Sequence, residues 1–361
     1  MGTTPDLLVQ IASRHAVHLE GAKTRYVDAF EEFLEAMRLD IEAQIKGVND
    51  PESFRGVRLN RLLQAVSDTL DAGFGDYEAV WLEQIRELGV YEADFEARAL
   101  GQVVRADFNI PTPSQIYTAA FARPLSVAGV DEGSLLEAFF KSWTEKSKSR
   151  VEGAIRLGFA QGQTTDEIVR RIRGTRRGKY RDGIVHAVRK EVTLMVRTSL
   201  QHVAASARMT LWEQNSDIVE EVEFLAVLDG RTSTLCRSLS GRRFPVGKGP
   251  IPPLHIACRS TMVPVLNDGL DFLEGIGRQF SRGENGVERV DPGMTYYDWL
   301  KTQSPAFQDN VIGPTRGKLL RDGGITSKRF SELQLDKNFR PISLDQMREL
   351  EPLAFERALA A

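Results

Sequence analysis

The sequence predicts an α+β fold that is predominantly α-helical, with long helices and one small antiparallel β-sheet around a Cys/His loop. Three observations favour this class. Apolar residues recur at helical spacing over most of residues 6–215. Period-two alternation is confined to a short stretch between residues 221 and 265. Capped helical patterns return after residue 295.

Length and composition are those of a folded protein with two or three packed units. The 361 residues are 42% hydrophobic and 27% charged, close to the globular average. No run approaches the roughly 18 apolar residues that a membrane helix needs. Charged side chains interrupt residues 1–30, where a signal peptide would lie. We therefore expect a soluble chain that is not secreted.

The first predicted region, residues 1–130, is helical. The stretch Asp6–Ile45 contains no proline and repeats apolar residues at helical spacing, and Val57–Gly73 and Tyr77–Leu88 continue the pattern. Thr112-Pro113 then supplies an N-cap and a proline suited to the first helical position. These amphipathic helices either form a self-contained bundle or pack on neighbouring chains, and the sequence leaves both alternatives open.

The second predicted region, residues 131–270, combines long helices with the sheet, and the third, residues 271–361, is a helical extension that packs on the core. Thr164 and Glu167 form a capping box that opens a short helix. The other helices are expected at Leu135–Gly158, Asp182–Asn215, Thr295–Thr302, Pro305–Ile312 and Pro314–Asp322. The strands are expected at Glu221–Leu228, Arg243–Val246 and Ser260–Val265. Pro245 and Pro264 favour strand edges or ends.

A basic window interrupts a chain whose charges are otherwise balanced. The formal net charge is −3, which by itself gives no reason to expect a nucleic-acid partner. Residues 141–190, however, contain 14 basic and 5 acidic side chains. The candidates for contacts with DNA phosphates are Arg170, Arg171, Arg173, Arg176, Arg177, Lys179 and Arg181. The alternative is a solvated helix end, where cations are favourably placed near the helix C-terminus.

Both cysteines lie in the segment 229–259, together with a histidine. His255 and Cys258 are three residues apart, a common spacing for two ligands of one metal, and Cys236 is a candidate third ligand. Asp229 is a candidate fourth ligand, and thiolates with an imidazole suit zinc. The sequence thus predicts a structural zinc site. The alternative is a pair of reduced cysteines with a histidine bonded to a backbone carbonyl, since a disulfide is disfavoured in a reducing cytoplasm.

A polar motif surrounds this candidate site and consists of Asp229, Arg231, Thr232 and Arg259. An aspartate followed by glycine is typical of a turn in which the carboxylate bonds the backbone two residues later. Arg231 then pairs with an acid such as Asp229 or with a carbonyl. We favour this structural interpretation over an active site, because a catalytic triad needs partners that the sequence does not place. A nucleophilic Cys–His pair is disfavoured separately, because no oxyanion loop is recognisable.

The order of these motifs resembles the head-morphogenesis (Mu F-type) family of tailed bacteriophages. The matching residues follow one strand candidate and precede another, and they are Asp229-Gly-Arg-Thr232, Cys236, Pro252-Pro-Leu-His255 and Cys258-Arg259. Similar segments lie upstream and downstream, at Gly158–Gly174, Arg197-Thr198, Tyr296–Gln303, Phe307–Asp309 and Gly313–Gly323. The resemblance covers about residues 131–340 and does not extend to residues 1–130.

The resemblance implies a structural minor capsid protein that acts at the portal vertex in procapsid assembly and DNA packaging. It implies the phage portal protein and the major capsid or scaffold protein as partners, with non-specific contact to packaged double-stranded DNA. The protein would be assembled in the host cytoplasm and would lie in the interior of the virion head. Neither catalytic activity nor a membrane contact follows from the resemblance.

Two further functions remain open from the residues alone. One is a zinc-dependent hydrolase or nuclease that acts on nucleic acid, with Asp229, His255 and the cysteines around the metal. The other is a non-catalytic DNA-binding accessory protein that uses the basic window. Loss of turnover on His255→Ala with the fold intact would indicate the first. Binding that weakens steeply with salt and with Arg176→Ala and Arg177→Ala together would indicate the second.

Overall fold

Most of the chain is helical, as the apolar stripes of the sequence predict. The computed structural model describes residues 4–48, 55–127, 133–267 and 279–360. Its helices are α1 (Thr4–Gly47), α2 (Arg55–Val104), α3 (Pro113–Ala122), α4 (Leu136–Ala160), α5 (Thr165–Arg173), α6 (Ile184–Gln214), α7 (Thr234–Leu239), α8 (Tyr296–Lys301), α9 (Pro305–Ile312), α10 (Pro314–Asp322), α11 (Ser327–Glu332), α12 (Leu344–Leu350) and α13 (Pro352–Ala360). Its strands are β1 (Val219–Leu225), β2 (Leu228–Asp229), β3 (Arg243–Pro245), β4 (Thr261–Leu266), β5 (Gln279–Gly283) and β6 (Gly286–Val290). The 65% helix content confirms the predicted α+β, mostly helical class.

The N-terminal helices bury their apolar faces within the chain. One continuous apolar cluster takes side chains from α1, α2, α4, α5 and α6. At its centre the ring of Phe30 meets Tyr77 edge-on at 4.5 Å, and Trp81 stacks on Phe140 at 4.6 Å. Helices from the first predicted region thus share a core with helices from the second. The predicted boundaries at residues 130 and 270 lie outside the described residues.

Helix α2 joins two stretches that the sequence predicts separately. Gly73 lies inside the helix, where glycine normally weakens helical structure. A Cβ atom at Gly73 would lie only 2.4 Å from the Cγ atom of Met37 in α1. The glycine therefore allows the two long helices to approach each other closely.

Two small sheets follow α6. The first is antiparallel with the order β3-β1-β4, and it places Val222 opposite both Phe244 and Pro264. Both prolines lie in edge strands, Pro245 in β3 and Pro264 in β4, as their missing N–H groups require. The second sheet has the order β2-β5-β6, with β2 parallel to β5, and was not predicted.

The C-terminal helices pack around their own apolar cluster, which reaches the sheets through β2. Tyr296, Trp299 and Phe330 are buried in this cluster beside Leu228. The hydroxyl of Tyr296 donates a hydrogen bond to the carbonyl oxygen of Asp229 at 2.8 Å. Helix α8 is thereby connected to the turn that begins the Cys/His segment. In the part of the chain that the structure describes, no helix is both long and apolar enough to cross a bilayer.

Candidate functional site

Three of the four predicted metal ligands meet in one cluster. Cys236 lies in α7, where its backbone N–H donates to the hydroxyl oxygen of the capping residue Ser233 at 3.2 Å. His255 and Cys258 lie in the loop before β4, joined by a hydrogen bond from the N–H of Cys258 to the carbonyl of His255 at 3.1 Å. The ligand atoms of these three residues all lie within 4.8 Å of one another. The cluster can therefore bind a metal ion.

The separation of the two thiols fits a shared metal ion. The Sγ atoms of Cys236 and Cys258 are 3.6 Å apart, and both thiols are free. A disulfide bond would bring them to about 2.05 Å. Two thiolates at about 2.3 Å from a tetrahedral zinc ion are about 3.8 Å apart. The observed distance is therefore close to that between two zinc ligands.

The histidine is oriented so that one ring nitrogen remains for the cluster. Nδ1 of His255 lies 3.0 Å from the carbonyl oxygen of Ile256. Because a carbonyl only accepts, Nδ1 donates its proton there, which leaves Nε2 for a thiol or a metal. A hydrogen bond from the other ring nitrogen to a backbone carbonyl is the usual support of a metal-bound histidine.

Burial and mutual hydrogen bonds separate the pKa values within the cluster. Burial alone would raise the pKa of Cys258, but hydrogen bonds from Cys236 and His255 lower it well below its usual value. The hydrogen bond to Cys258, together with burial, raises the pKa of Cys236. Burial would lower the pKa of His255, but the neighbouring Cys258 raises it. The cluster thus favours a thiolate at Cys258, the form that binds metals.

Asp229 is not part of the cluster. Arg259 binds both of its carboxylate oxygens, at 2.6 and 2.9 Å. The carboxylate also accepts from the backbone N–H of Arg231 at 3.0 Å and from the hydroxyl of Thr232 at 3.1 Å. Burial would raise the pKa of Asp229, but the Arg259 guanidinium lowers it. The expected fourth ligand is therefore engaged elsewhere, and the predicted turn with a bond to the backbone two residues later is observed.

The polar motif of the sequence forms one connected group around this carboxylate. The single proton of the Thr232 hydroxyl is shared between this carboxylate and the nearer carbonyl oxygen of Val227, at 2.5 Å. Arg231 approaches the carboxylate only to 3.5 Å, and its side chain is 74% exposed. The group joins β2, the following turn, the loop before β4 and, through Tyr296, helix α8.

Buried polar side chains from α1 and α6 lie beneath the loop, and the sequence did not indicate them. The ammonium of Lys23, 1% exposed, donates to the amide oxygen of Gln201. Gln201 in turn donates to the carbonyl of Ser260 at 2.8 Å, and Thr198 accepts from the N–H of Ala257 at 2.9 Å. The one available signal was that Lys23 follows Leu19 by four residues on the buried face of α1.

A cavity of about 580 Å³ borders the cluster. Cys236 and the half-buried His255 line it, whereas Cys258 does not. Its other acidic and basic lining residues are Glu20, Arg197, Arg231 and Arg259. The cluster therefore meets the cavity mainly through His255, because the Cys236 and Cys258 side chains are both buried.

The seven basic candidates fall into two groups. Three lie in α5 and have partners: Arg170 bonds the carbonyl of Asp166, Arg171 bonds two glutamine side chains, and Arg173 lies over the ring of Tyr180. The other four are exposed in the turn between α5 and α6 and form no ion pair with any described residue. These are Arg176, Arg177, Lys179 and Arg181. We refer to the turn 174–183 as the basic loop.

The basic loop has a fixed shape. The carboxylate of Asp182 accepts hydrogen bonds from the N–H and the hydroxyl of Thr175, at 2.8 and 2.6 Å. A Cβ atom at Gly178 would lie 2.6 Å from the Asp182 carboxylate, and one at Gly183 would lie 2.4 Å from the backbone of Arg173. The internal acid and the glycines thus hold a tight turn while the four cations remain exposed.

Comparison with protein-family models, with curated proteins and with solved structures finds no match to this chain. The resemblance to the head-morphogenesis family therefore rests on the residues and their order in the sequence.

Proposed function

We propose that the chain is a structural minor capsid protein of a tailed phage, which acts at the portal vertex in procapsid assembly and DNA packaging. The observation that carries this proposal is that the residues of the family resemblance bind one another. Asp229 is held by Arg259, Thr232 and the backbone of Arg231, and Cys236 contacts Cys258. Together with the hydrogen bond from Tyr296 to Asp229, these contacts connect α7, α8 and the strands. Such cross-links between elements support a structural role.

The partners that this function requires are the portal protein and the major capsid or scaffold protein. The protein would be assembled in the host cytoplasm and would remain in the interior of the virion head. There the exposed cations of the basic loop would contact the phosphates of packaged double-stranded DNA without reading its sequence. The hydrogen bonds within that loop support the contact, because the main chain of the loop needs no further ordering before its cations meet the DNA phosphates.

A structural zinc ion is the second part of the proposal, with Cys236, His255 and Cys258 as its protein ligands. Their soft donor atoms and the 3.6 Å separation of the sulfurs support zinc over a hard cation. The ion would join α7 to the loop before β4 and contribute directly to folding stability. Native mass spectrometry of the full chain should show one zinc per protein. A protein that contains no zinc and binds none when it is added would contradict the site.

Gene deletion tests the assembly function. We expect phage that lack the protein to make heads that are defective in assembly or in DNA content. Complementation with Asp229→Ala should restore fewer infectious particles than complementation with Arg231→Ala, because only the first removes a buried partner of Arg259. Normal, full-genome, infectious heads without the protein would contradict the proposal.

A zinc-dependent hydrolase or nuclease is the second candidate, and the cavity beside His255 is the observation that favours it. Zinc sites with three protein ligands commonly keep one position for water or substrate. The thiol with the lowered pKa, Cys258, does not line the cavity, which favours a metal ligand over a nucleophile. A nuclease assay on zinc-loaded protein decides between the two. Turnover that His255→Ala abolishes without unfolding would favour the enzyme.

A further inference from the structure

The cavity beside the cluster has a wall that is rich in hydrogen-bond donors. It lies where α1, α6, the turn after β2 and the loop before β4 meet. Three guanidinium groups line it, from Arg197, Arg231 and Arg259, against a single carboxylate, from Glu20. The side chain of Arg231 is 74% exposed, so the cavity is accessible to solvent on that side.

The three arginines differ in how firmly they are held. Arg197 donates to Glu20 at 2.8 Å and to the hydroxyl of Thr24 at 3.1 Å. Arg259 is fixed by its two bonds to Asp229. Arg231 has only a 3.5 Å contact with the same carboxylate, which Arg259 already occupies. The cavity therefore has two positioned cations and one that is free to close on a ligand.

These groups retain donors that the protein itself does not use. A guanidinium carries five N–H donors, and the contacts above use two in Arg197, two in Arg259 and one in Arg231. Excess positive charge and unused donors together suit an oxyanion with several acceptor atoms.

We propose that this cavity binds a phosphate group, either free phosphate or a terminal phosphate of a nucleic-acid strand. Arginine is well suited to such a ligand, because its planar fork matches two phosphate oxygens at once. Arg197 and Arg259, each paired with a carboxylate, provide N–H donors in fixed positions, and Arg231 adds the net positive charge and closes over the bound group. A zinc ion at the neighbouring cluster would leave one coordination position for a ligand from outside the chain. That last contribution rests on the zinc site proposed above, whereas the contribution of the arginines does not.

Isothermal titration of inorganic phosphate into the full chain, with and without zinc, tests the proposal. We expect saturable binding in both preparations, tighter with zinc, and weakened by Arg231→Ala about tenfold or more, as loss of a charge-assisted contact implies. Arg243→Ala is the matched control, because Arg243 is an exposed arginine of β3 that pairs with Glu223 and does not line the cavity. Both side chains are exposed, so neither truncation removes core packing.

The source of the phosphate is resolved with short oligonucleotides that differ only in a 5′-phosphate. Preference for the phosphorylated strand, lost in Arg231→Ala, would assign the cavity to strand ends. Phosphate binding without that preference would assign it to free phosphate. No saturable binding of either ligand, or equal affinity in wild type and Arg231→Ala, would overturn the proposal. Equal phosphate affinity with and without zinc would overturn only the contribution of the cluster, and none of these outcomes depends on head assembly.

Discussion

The helical region and the Cys/His segment of this chain are held together in opposite ways. Helices α1, α2, α4, α5 and α6 share one large cluster of buried apolar side chains. The segment 229–259 has a six-residue helix, short strands and a loop, and specific polar contacts fix it, such as Asp229 with Arg259 and Ala257 with Thr198. In an apolar core, the side chains around a lost contact can still pack against one another. The polar contacts that fix the segment 229–259, which we call the brace, lack this tolerance, because removal of one partner leaves the other without a hydrogen bond.

The largest expected effect follows from removal of the central carboxylate of the brace. Asp229→Ala leaves Arg259 without its partner in a site where the aspartate is only 4% exposed. We expect a loss of about 3 kcal/mol in the free energy of unfolding, the lower end of the range for broken buried pairs, because the Arg259 side chain is 22% exposed. Urea denaturation followed by circular dichroism measures it.

The control for this prediction is Arg231→Ala, which removes the other cation beside the same carboxylate. Because the Arg231 side chain is 74% exposed and lies 3.5 Å from the carboxylate, its loss should change stability by less than about 1 kcal/mol. Equal effects of the two substitutions would show that the Asp229–Arg259 contact does not brace the segment.

The sequence predicted most of the long helices, because apolar residues recur every three or four positions along the buried face of a helix. The predicted helices Pro305–Ile312 and Pro314–Asp322 agree with α9 and α10 residue for residue, since a proline begins each one. Helix α2 was predicted as two stretches because Gly73 reads locally as a break. Its reason for being glycine, the close contact with Met37, depends on a partner 36 residues away.

The three metal ligands were predictable from residue type and spacing, whereas the partners of Asp229 were not. His255 and Cys258 share a loop, and the structure does bring Cys236 to them. From the sequence, Asp229 was as good a ligand candidate as the other three residues. Its neighbours in sequence do not show that Arg259, 30 residues later, binds both of its carboxylate oxygens. The hairpin of β5 and β6 was missed because its strands contain few apolar residues. Lys23 was missed because burial of a lysine depends on partners from α6.

Acid should destabilise the helical core, because His202 is buried there in its neutral form. This residue is 3% exposed, its Nε2 proton is donated to the carbonyl of Ala120 at 2.9 Å, and burial lowers its pKa to about 4. The unfolded chain, with a histidine pKa of about 6.5, binds this proton first as the pH falls. Stability from His202 is therefore present above about pH 6.5 and is lost as the pH falls toward 4, by about 3 kcal/mol.

Urea denaturation of wild type and His202→Gln at about pH 7 and about pH 4 measures this contribution. Glutamine keeps a donor for Ala120 but does not titrate, so the variant should lack this part of the pH dependence. An identical decline in both proteins would assign the acid sensitivity to other groups.

Zinc should stabilise the brace and leave the helical core without a direct contribution. At about 100 times its dissociation constant, the ion should add about 2.7 kcal/mol to the stability of the wild-type chain. The gain should disappear in Cys258→Ser, which removes one of the three ligands from a fully buried position. Differential scanning calorimetry with zinc, and again after a chelator, measures the change. An undiminished gain in the variant would place the metal elsewhere.

The smallest effect on stability should come from the basic loop, where function and folding are most clearly separated. Arg176→Ala with Arg177→Ala should change the free energy of unfolding by no more than about 0.5 kcal/mol, because both side chains are exposed and without an ion pair among the described residues. The same pair should reduce the slope of log affinity against log salt by about 1.8 for duplex DNA, if each cation releases one counterion. Fluorescence anisotropy over a salt series measures that slope.

The control is Arg243→Ala with Arg289→Ala, which removes the same charge from exposed positions in β3 and β6. If both pairs of substitutions weaken DNA binding alike, net charge alone accounts for the affinity. A loss of DNA affinity only in the variant of the basic loop would show that this turn, held by Asp182 and its glycines, presents cations to DNA.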